Sequence, residues 1–353
     1  MRIGLVDVDG HNFPNIALMK LSAWHKRRGD TVEFADPAVR RYDKVYMSKV
    51  FTFSRDCTDR YDCEVVRAGT GYRDYATMLP EEIEHICPDY SLYGVKEAYG
   101  FLTRGCVNRC PWCVVPHKEG EVRAHADIEE FLDGRKRAVL LDNNVLASEW
   151  GLMQIEKIVR MGIRVDFNQG LDARRIARTP EIAALLARVK WIRFLRMAYD
   201  SRAMQDDVHK AIELLRKHGV PARKLFLYVL IRDDTEDALG RIRELKALGC
   251  QPFAQPYRDF EHEGSNGGWP TGAIANRCST PWIMRNTEKT ELNNRTYEQT
   301  ENQICRRVRL SCNNGGRAYR IAIYGLPCLR TRRGGNYPLS GDRSRHDRHS
   351  RLG

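Results

Sequence analysis

The sequence predicts an α/β protein: a Rossmann-like domain over residues 1–95, a partial (β/α)6 barrel over 96–260, and a basic, Arg-rich, poorly ordered tail over 261–353. Three observations predict it. Short β-branched or aromatic runs alternate with helical periodicity from the first residues onward. The period lengthens after about residue 98, and the alternation stops after Glu263. A chain of 353 residues, 42% hydrophobic and 29% charged, has the length of about two ordinary domains and too much apolar content for a wholly disordered chain.

In the first segment, RIGLVDV reads as a strand and DGHNFPN as turn chemistry, with a Pro suited to a first helical turn. Ile16, Leu18, Met19, Leu21, Ala23 and Trp24 then give a helical face that stops at Arg27-Arg28-Gly29, a basic last turn followed by Gly. TVEFA, DKVYMSKVF and CEVVRAG follow as strands of a small parallel sheet. In the second segment AYGFLT, AVLLD, IRVDF, WIRFLRM, KLFLYVLI and QPFAQPY are strand runs. Helices are expected between them near 127–132, 152–161, 173–187, 204–218 and 235–248. In the last of these Leu239, Ile242, Leu245 and Leu248 share a face and Gly249 closes the helix. Six strands linked by helices make most of a barrel, a fold that places chemistry at the C-terminal ends of its strands.

The net charge of +12 describes the tail. Residues 261–353 hold sixteen Lys and Arg against eight Asp and Glu, whereas residues 1–260 are basic by only four charges. Three readings of the tail stay open: a solvated, largely disordered segment, a stretch out of register with the coding frame of the body, or a basic arm that binds nucleic acid. No apolar run reaches the ~18–20 residues that cross a bilayer, and Asp7 and Asp9 interrupt the only apolar stretch near the start. A soluble, cytoplasmic protein with no membrane partner is the expectation.

Eight of the eleven cysteines are scattered, while Cys106, Cys110 and Cys113 form one C-x3-C-x2-C cluster after the first long-period strand. An odd total and one tight cluster argue for reduced thiols and a metal site rather than a disulfide framework. Three thiolates on one loop can meet one face of an iron–sulfur cubane and leave one iron open for chemistry. His117, four residues past Cys113, leaves a Cys3His zinc site as the alternative.

C-x3-C-x2-C with Trp112 just before the last Cys, following a strand and leading a β/α repeat, resembles the radical S-adenosylmethionine (radical SAM) superfamily over about residues 95–257. The resemblance implies that Cys106, Cys110 and Cys113 hold a 4Fe-4S cluster whose fourth iron is chelated by the methionyl amine and carboxylate of S-adenosylmethionine. It also implies that one electron, from a reductant such as a flavodoxin or ferredoxin, cleaves that molecule to a radical which abstracts hydrogen from a substrate. Trp112 then lies near the adenine. Where the family commonly has a Gly-Gly-Glu-type turn for the methionyl amine, this chain has Leu141-Asp142-Asn143-Asn144, so Asp142 and Asn143 take that place. Asn168, Gln169, Asp172 and Arg174 follow the third strand and suit the ribose hydroxyls and the carboxylate, with a helix N-cap as the other reading of Asp172. Asp200, after Ala198-Tyr199, is placed to reach cofactor or substrate. Ile231-Arg232-Asp233-Asp234 stands where a small, Gly-containing pattern is common. Substrate and general base are not assigned; Tyr199, Asp200 and His117 are candidates by position only.

The first segment resembles the cobalamin-binding-type domain found in part of the superfamily. Asp9-Gly10-His11-Asn12-Phe13-Pro14 is close to its D-x-H-x-x-G ligand loop, but Pro14 stands where Gly belongs. That favours a polar helix-start turn over a cobalamin ligand. No second Cys-rich cluster precedes the tail, and Cys278, Cys305, Cys312 and Cys328 are too far apart to make one, which argues against methylthio transfer. The competing non-enzyme reading is a Cys3His zinc protein with a nucleic-acid-binding arm.

Overall fold

The computed structural model describes residues 1–257 apart from Asn12 and Asp233. The tail expected over 261–353 lies outside the described residues. What is described is a mixed α/β chain whose main sheets are parallel.

The first sheet has strands β1 (Arg2–Asp7), β2 (Thr31–Phe34), β3 (Lys44–Ser48) and β4 (Glu64–Ala68), all parallel, in the order β2-β1-β3-β4. The order reverses between β1 and β3, the place where open α/β sheets leave a crevice at the strand ends. Helix α1 (Ile16–Arg27) connects β1 to β2. Asn15 caps it, accepting from the Leu18 amide at 3.2 Å, while its Nδ2 donates to Ser48 at the end of β3 at 2.8 Å. Gly29, at φ +83°, lets the chain turn out of the helix. Asn15→Ala removes cap and cross-link together and is expected to cost about 1–2 kcal/mol, read as a lower urea midpoint with unchanged slope. Ile3, Leu5, Leu18, Leu21 and Ile83, the last from α2 (Glu81–Glu84), form a small core of their own.

The second segment runs through β5 (Ala98–Gly100), β6 (Thr103–Arg104), α3 (Val115–Lys118), β7 (Arg123–Ala124), α4 (Ile128–Leu132), β8 (Arg137–Leu140) and α5 (Glu149–Met161). It continues with β9 (Arg164–Phe167), α6 (Ala173–Arg178), α7 (Pro180–Arg188), β10 (Lys190–Trp191), β11 (Leu195–Ala198), α8 (Gln205–Lys217), β12 (Leu225–Ile231), α9 (Thr235–Ala247) and β13 (Gln251–Pro256). Strands β5, β8, β9 and β10 are parallel neighbours in chain order, as are β11, β12 and β13. Among the described residues a single parallel bridge, from Leu171 to Met197, links the two groups.

Alternation along these strands separates two faces. Leu195, Met197, Leu225, Leu227 and Val229 are fully buried in the large core with Ile155 and Ile158 of α5. The opposite face carries Asp166, Arg196 and Tyr228, joined by Arg196 Nε to Asp166 at 2.6 Å and Nη1 to the Tyr228 hydroxyl at 3.1 Å. Met19 of α1 and Tyr90 belong to the same large core, so the two segments share packing.

Two expectations are corrected. The helix expected over 173–187 is two helices, α6 and α7. Thr179 precedes Pro180 and lies at φ −131°, ψ 88°, because a residue before Pro is pushed out of the helical region. The WIRFLRM run is two short strands, β10 and β11, which pair with different partners. In addition, β6 and β7 form an antiparallel pair that the strand pattern did not indicate. Among the described residues no helix is long and apolar enough to cross a membrane.

Candidate functional site

The cysteine cluster sits on a loop that the polypeptide closes at both ends. Past β5 the chain is gripped by Asp142, whose carboxylate accepts from the Leu102 amide at 3.1 Å, the Thr103 amide at 2.6 Å and the Thr103 hydroxyl at 2.7 Å. The β6–β7 pair then ties the start of the loop to its exit. Glu119 completes the closure, accepting from the Gly105 amide at 2.9 Å, Arg104 Nη2 at 2.8 Å and Asn143 Nδ2 at 2.8 Å. The Cys106 amide donates to the Gly120 carbonyl at 3.1 Å. Gly105 is required here: its φ is +80°, and a Cβ would stand 2.1 Å from the Glu121 carbonyl oxygen.

Inside the loop, Cys106 and Cys110 line a cleft of about 390 Å³ together with Arg109, Pro111, His117 and Glu121. Cys110 and Cys113 are joined by a backbone hydrogen bond of 3.0 Å. Burial pushes both thiols up from the usual range; at Cys110 the neighbouring Arg174 guanidinium pulls the other way. Cys106 Sγ accepts from the Asn108 amide at 3.3 Å and from Asn144 Nδ2 at 3.5 Å. Among the described residues no three or more His, Cys, Asp or Glu side chains are gathered in metal-binding geometry. The donor set nevertheless suits a thiophilic metal cluster: three free thiols on one loop, N–H donors directed at sulfur, and one guanidinium.

The residues expected at the cofactor divide into two groups. Asp172 caps α6, accepting from the Arg174 amide at 3.1 Å, and also accepts from Arg174 Nε at 2.8 Å, Asn108 Nδ2 at 2.7 Å and Asn144 Nδ2 at 3.1 Å. Arg174 thereby stands beside Cys110. Asp200 lies near Arg174, Cys110 and Cys113; burial pushes its carboxyl up to about 6, against the pull of Arg241 and Arg174. Trp112 lies under the Arg232 guanidinium at 5.3 Å, which also faces the Tyr257 ring at 5.6 Å. Cys106, Cys110, Cys113, Trp112, Asp172, Arg174 and Asp200 therefore come together at the C-terminal ends of the parallel strands.

The second group is engaged elsewhere or stays at the margin. Asp142 is 2% exposed, is turned inward onto the Leu102–Thr103 backbone, and is pushed up to about 6 by burial. Asn143 is committed to Glu119. Asn168 and Gln169 follow β9 directly, half-buried and exposed respectively. Tyr199 is fully buried and its hydroxyl donates to Glu244 on α9 at 3.4 Å, away from the thiols. His117 is exposed on α3 at the rim of the cleft.

Several residues at the site were not among those chosen from the sequence, Asn144 although it lies in the turn that supplied Asp142 and Asn143. Asn144 is 2% exposed, and its Oδ1 is buried with no hydrogen-bond partner among the described residues. Arg241, 3% exposed, donates to the Leu230 carbonyl at 2.9 Å and to the Tyr199 carbonyl, capping the ends of β12 and β11 beside Asp200. Glu119 carries no signal beyond being an acid near the cluster. At the β1–β3 crevice, Asp9 accepts from the Val50 amide at 2.5 Å and from Ser54 Oγ at 2.5 Å, which draws the segment after β3 over the strand ends. The His11 ring stacks on Phe34 at 3.9 Å. Through these bonds Asp9 acts as a closure between the ends of β1 and β3. No family model matches the chain, and no curated protein matches it.

Proposed function

We propose that the chain is a radical S-adenosylmethionine enzyme acting on a substrate yet to be identified. The second segment is then an open (β/α)6 barrel built from β5, β8, β9, β11, β12 and β13, and residues 1–95 a Rossmann-like domain packed against it. The observation that carries the reading is the convergence of three thiols of one loop with Asn144, Arg174 and Asp200, each from a different strand end.

Cys106, Cys110 and Cys113 hold the 4Fe-4S cluster. When bound, that group supplies the electron that cleaves S-adenosylmethionine to methionine and a hydrogen-abstracting 5′-deoxyadenosyl radical. The unpartnered Asn144 Oδ1 would accept a hydrogen bond from an N–H of the methionyl amine, a role the resemblance implied for Asp142 and Asn143. Trp112 and Arg232 offer a planar surface for the adenine. The electron comes from a cytoplasmic one-electron carrier such as a flavodoxin or ferredoxin.

The test is 5′-deoxyadenosine formation by anaerobically reconstituted, dithionite-reduced protein. The wild-type chain is expected to bind four irons and release 5′-deoxyadenosine, and Cys110→Ala to lose at least 100-fold of that release, about 3 kcal/mol of barrier. A wild-type protein that takes up no iron overturns the reading. A second reading rests on His117, which lines the same cleft as Cys106 and Cys110. It is a Cys3His zinc protein with a nucleic-acid-binding arm, and a colourless protein with one zinc and no iron would establish it.

A further inference from the structure

Three N–H donors surround the cysteine sulfurs, and one carboxylate holds them. Asp172, its side chain 6% exposed, accepts from Asn108, Asn144 and Arg174 at 2.7, 3.1 and 2.8 Å. Two of these residues reach Cys106: Asn108 through its backbone amide at 3.3 Å and Asn144 through Nδ2 at 3.5 Å. The third, Arg174, has its guanidinium beside Cys110. A helix cap needs only the Arg174 amide. The remaining bonds exceed that need, and all of them lead to residues that touch sulfur.

We propose that Asp172 is a positioning residue, and that the donors it gathers on Cys106 and Cys110 make the cluster easier to reduce. This rests on the radical S-adenosylmethionine reading above. Reduction adds one electron to the cluster, taken from the carrier or from dithionite, with no bond made or broken. N–H bonds to sulfur and a nearby cation stabilise the more negative, reduced state and raise the potential. The charge of Asp172 acts the other way, but Arg174 offsets it at 2.8 Å, so the oriented N–H dipoles decide the sign. Asp172 thus acts on the sulfurs through its neighbours.

The experiment is an EPR-monitored redox titration of the full-length, iron-loaded protein without S-adenosylmethionine, with iron content measured in parallel. Arg174→Gln is expected to lower the reduced-to-oxidised ratio at a fixed ambient potential about tenfold, equivalent to ~59 mV for a one-electron couple. Arg174→Lys keeps the charge but loses the planar fork, and is expected to recover part of the change. Asn144→Leu, which removes one N–H···S bond at unchanged charge, is expected to shift the ratio in the same direction by about half as much in mV. If Arg174→Gln loads poorly, the Lys and Leu variants carry the same sign test. Variants that lose iron content yet keep the wild-type potential in the loaded fraction show a merely structural role and overturn the inference, leaving the proposed function standing. A wild-type chain that binds no iron overturns both.

Discussion

Gly105→Ala is expected to open the cysteine loop and to cost about 3–4 kcal/mol. The backbone there has φ +80°, a conformation that costs a Cβ-bearing residue about 1–2 kcal/mol by itself. The added Cβ would also lie 2.1 Å from the Glu121 carbonyl oxygen and 2.9 Å from that of Gly120, both backbone atoms. The Gly105 amide is held by Glu119 and the Cys106 amide by Gly120, so relief requires breaking one of these bonds. Gly120 is the matched control: it has φ +69° but open space around a new Cβ, and Gly120→Ala is expected to cost only about 1–2 kcal/mol. The measurements are chemical denaturation and hydrogen exchange at the Cys106 amide. Equal losses at the two glycines would show that the close approach across the loop does not matter.

Asp142→Ala is expected to destabilise the fold by about 3–5 kcal/mol. It leaves the Leu102 and Thr103 amides and the Thr103 hydroxyl buried without an acceptor, at about 1–3 kcal/mol per group. Asp142→Asn keeps one acceptor oxygen and is expected to lose less than the Ala variant, and its comparison with wild type carries a pH signature. Burial raises the Asp142 carboxyl from 3.8 to about 6 in the folded state. The folded protein therefore holds a proton that the unfolded chain has already released. Stability from that proton is complete below pH 4 and is lost as pH rises to about 6. The advantage of wild type over the Asn variant is expected to shrink by about 3 kcal/mol across this window, then stay constant. A difference independent of pH would mean that the carboxyl titrates alike in both states.

What the sequence showed and what it hid follow from how local each signal is. Apolar periodicity found α5 and α9 because their buried faces repeat every three or four residues. It ran through Thr179 because Ile176, Ala183 and Leu186 are all buried on either side of the break. Arg241 shows the limit of polarity as a guide: its charge suggests exposure, yet it lies on the buried face with Ala238, Ile242 and Leu245 and satisfies strand-end carbonyls that only the folded chain brings within reach. The three cysteines were legible because their spacing sits within eight residues. Which of Asp142, Asn143 and Asn144 meets sulfur was not, because the backbone turns sharply after β8, with Asn144 at φ −156°, ψ 67°. That turn sends one side chain into the core, one to Glu119 and one to Cys106.

The ties that close the cysteine loop are made by Thr103, Arg104, Arg123, Ala124, Glu119 and Asp142, and none of them uses a thiol. Closure of the loop therefore does not depend on the thiols. In this respect the chain differs from small metallodomains that are unfolded until the ion binds. If the loop holds the proposed cluster, iron delivery is a step that follows folding, and removing iron by chelation is expected to leave the folded chain with an unchanged urea midpoint.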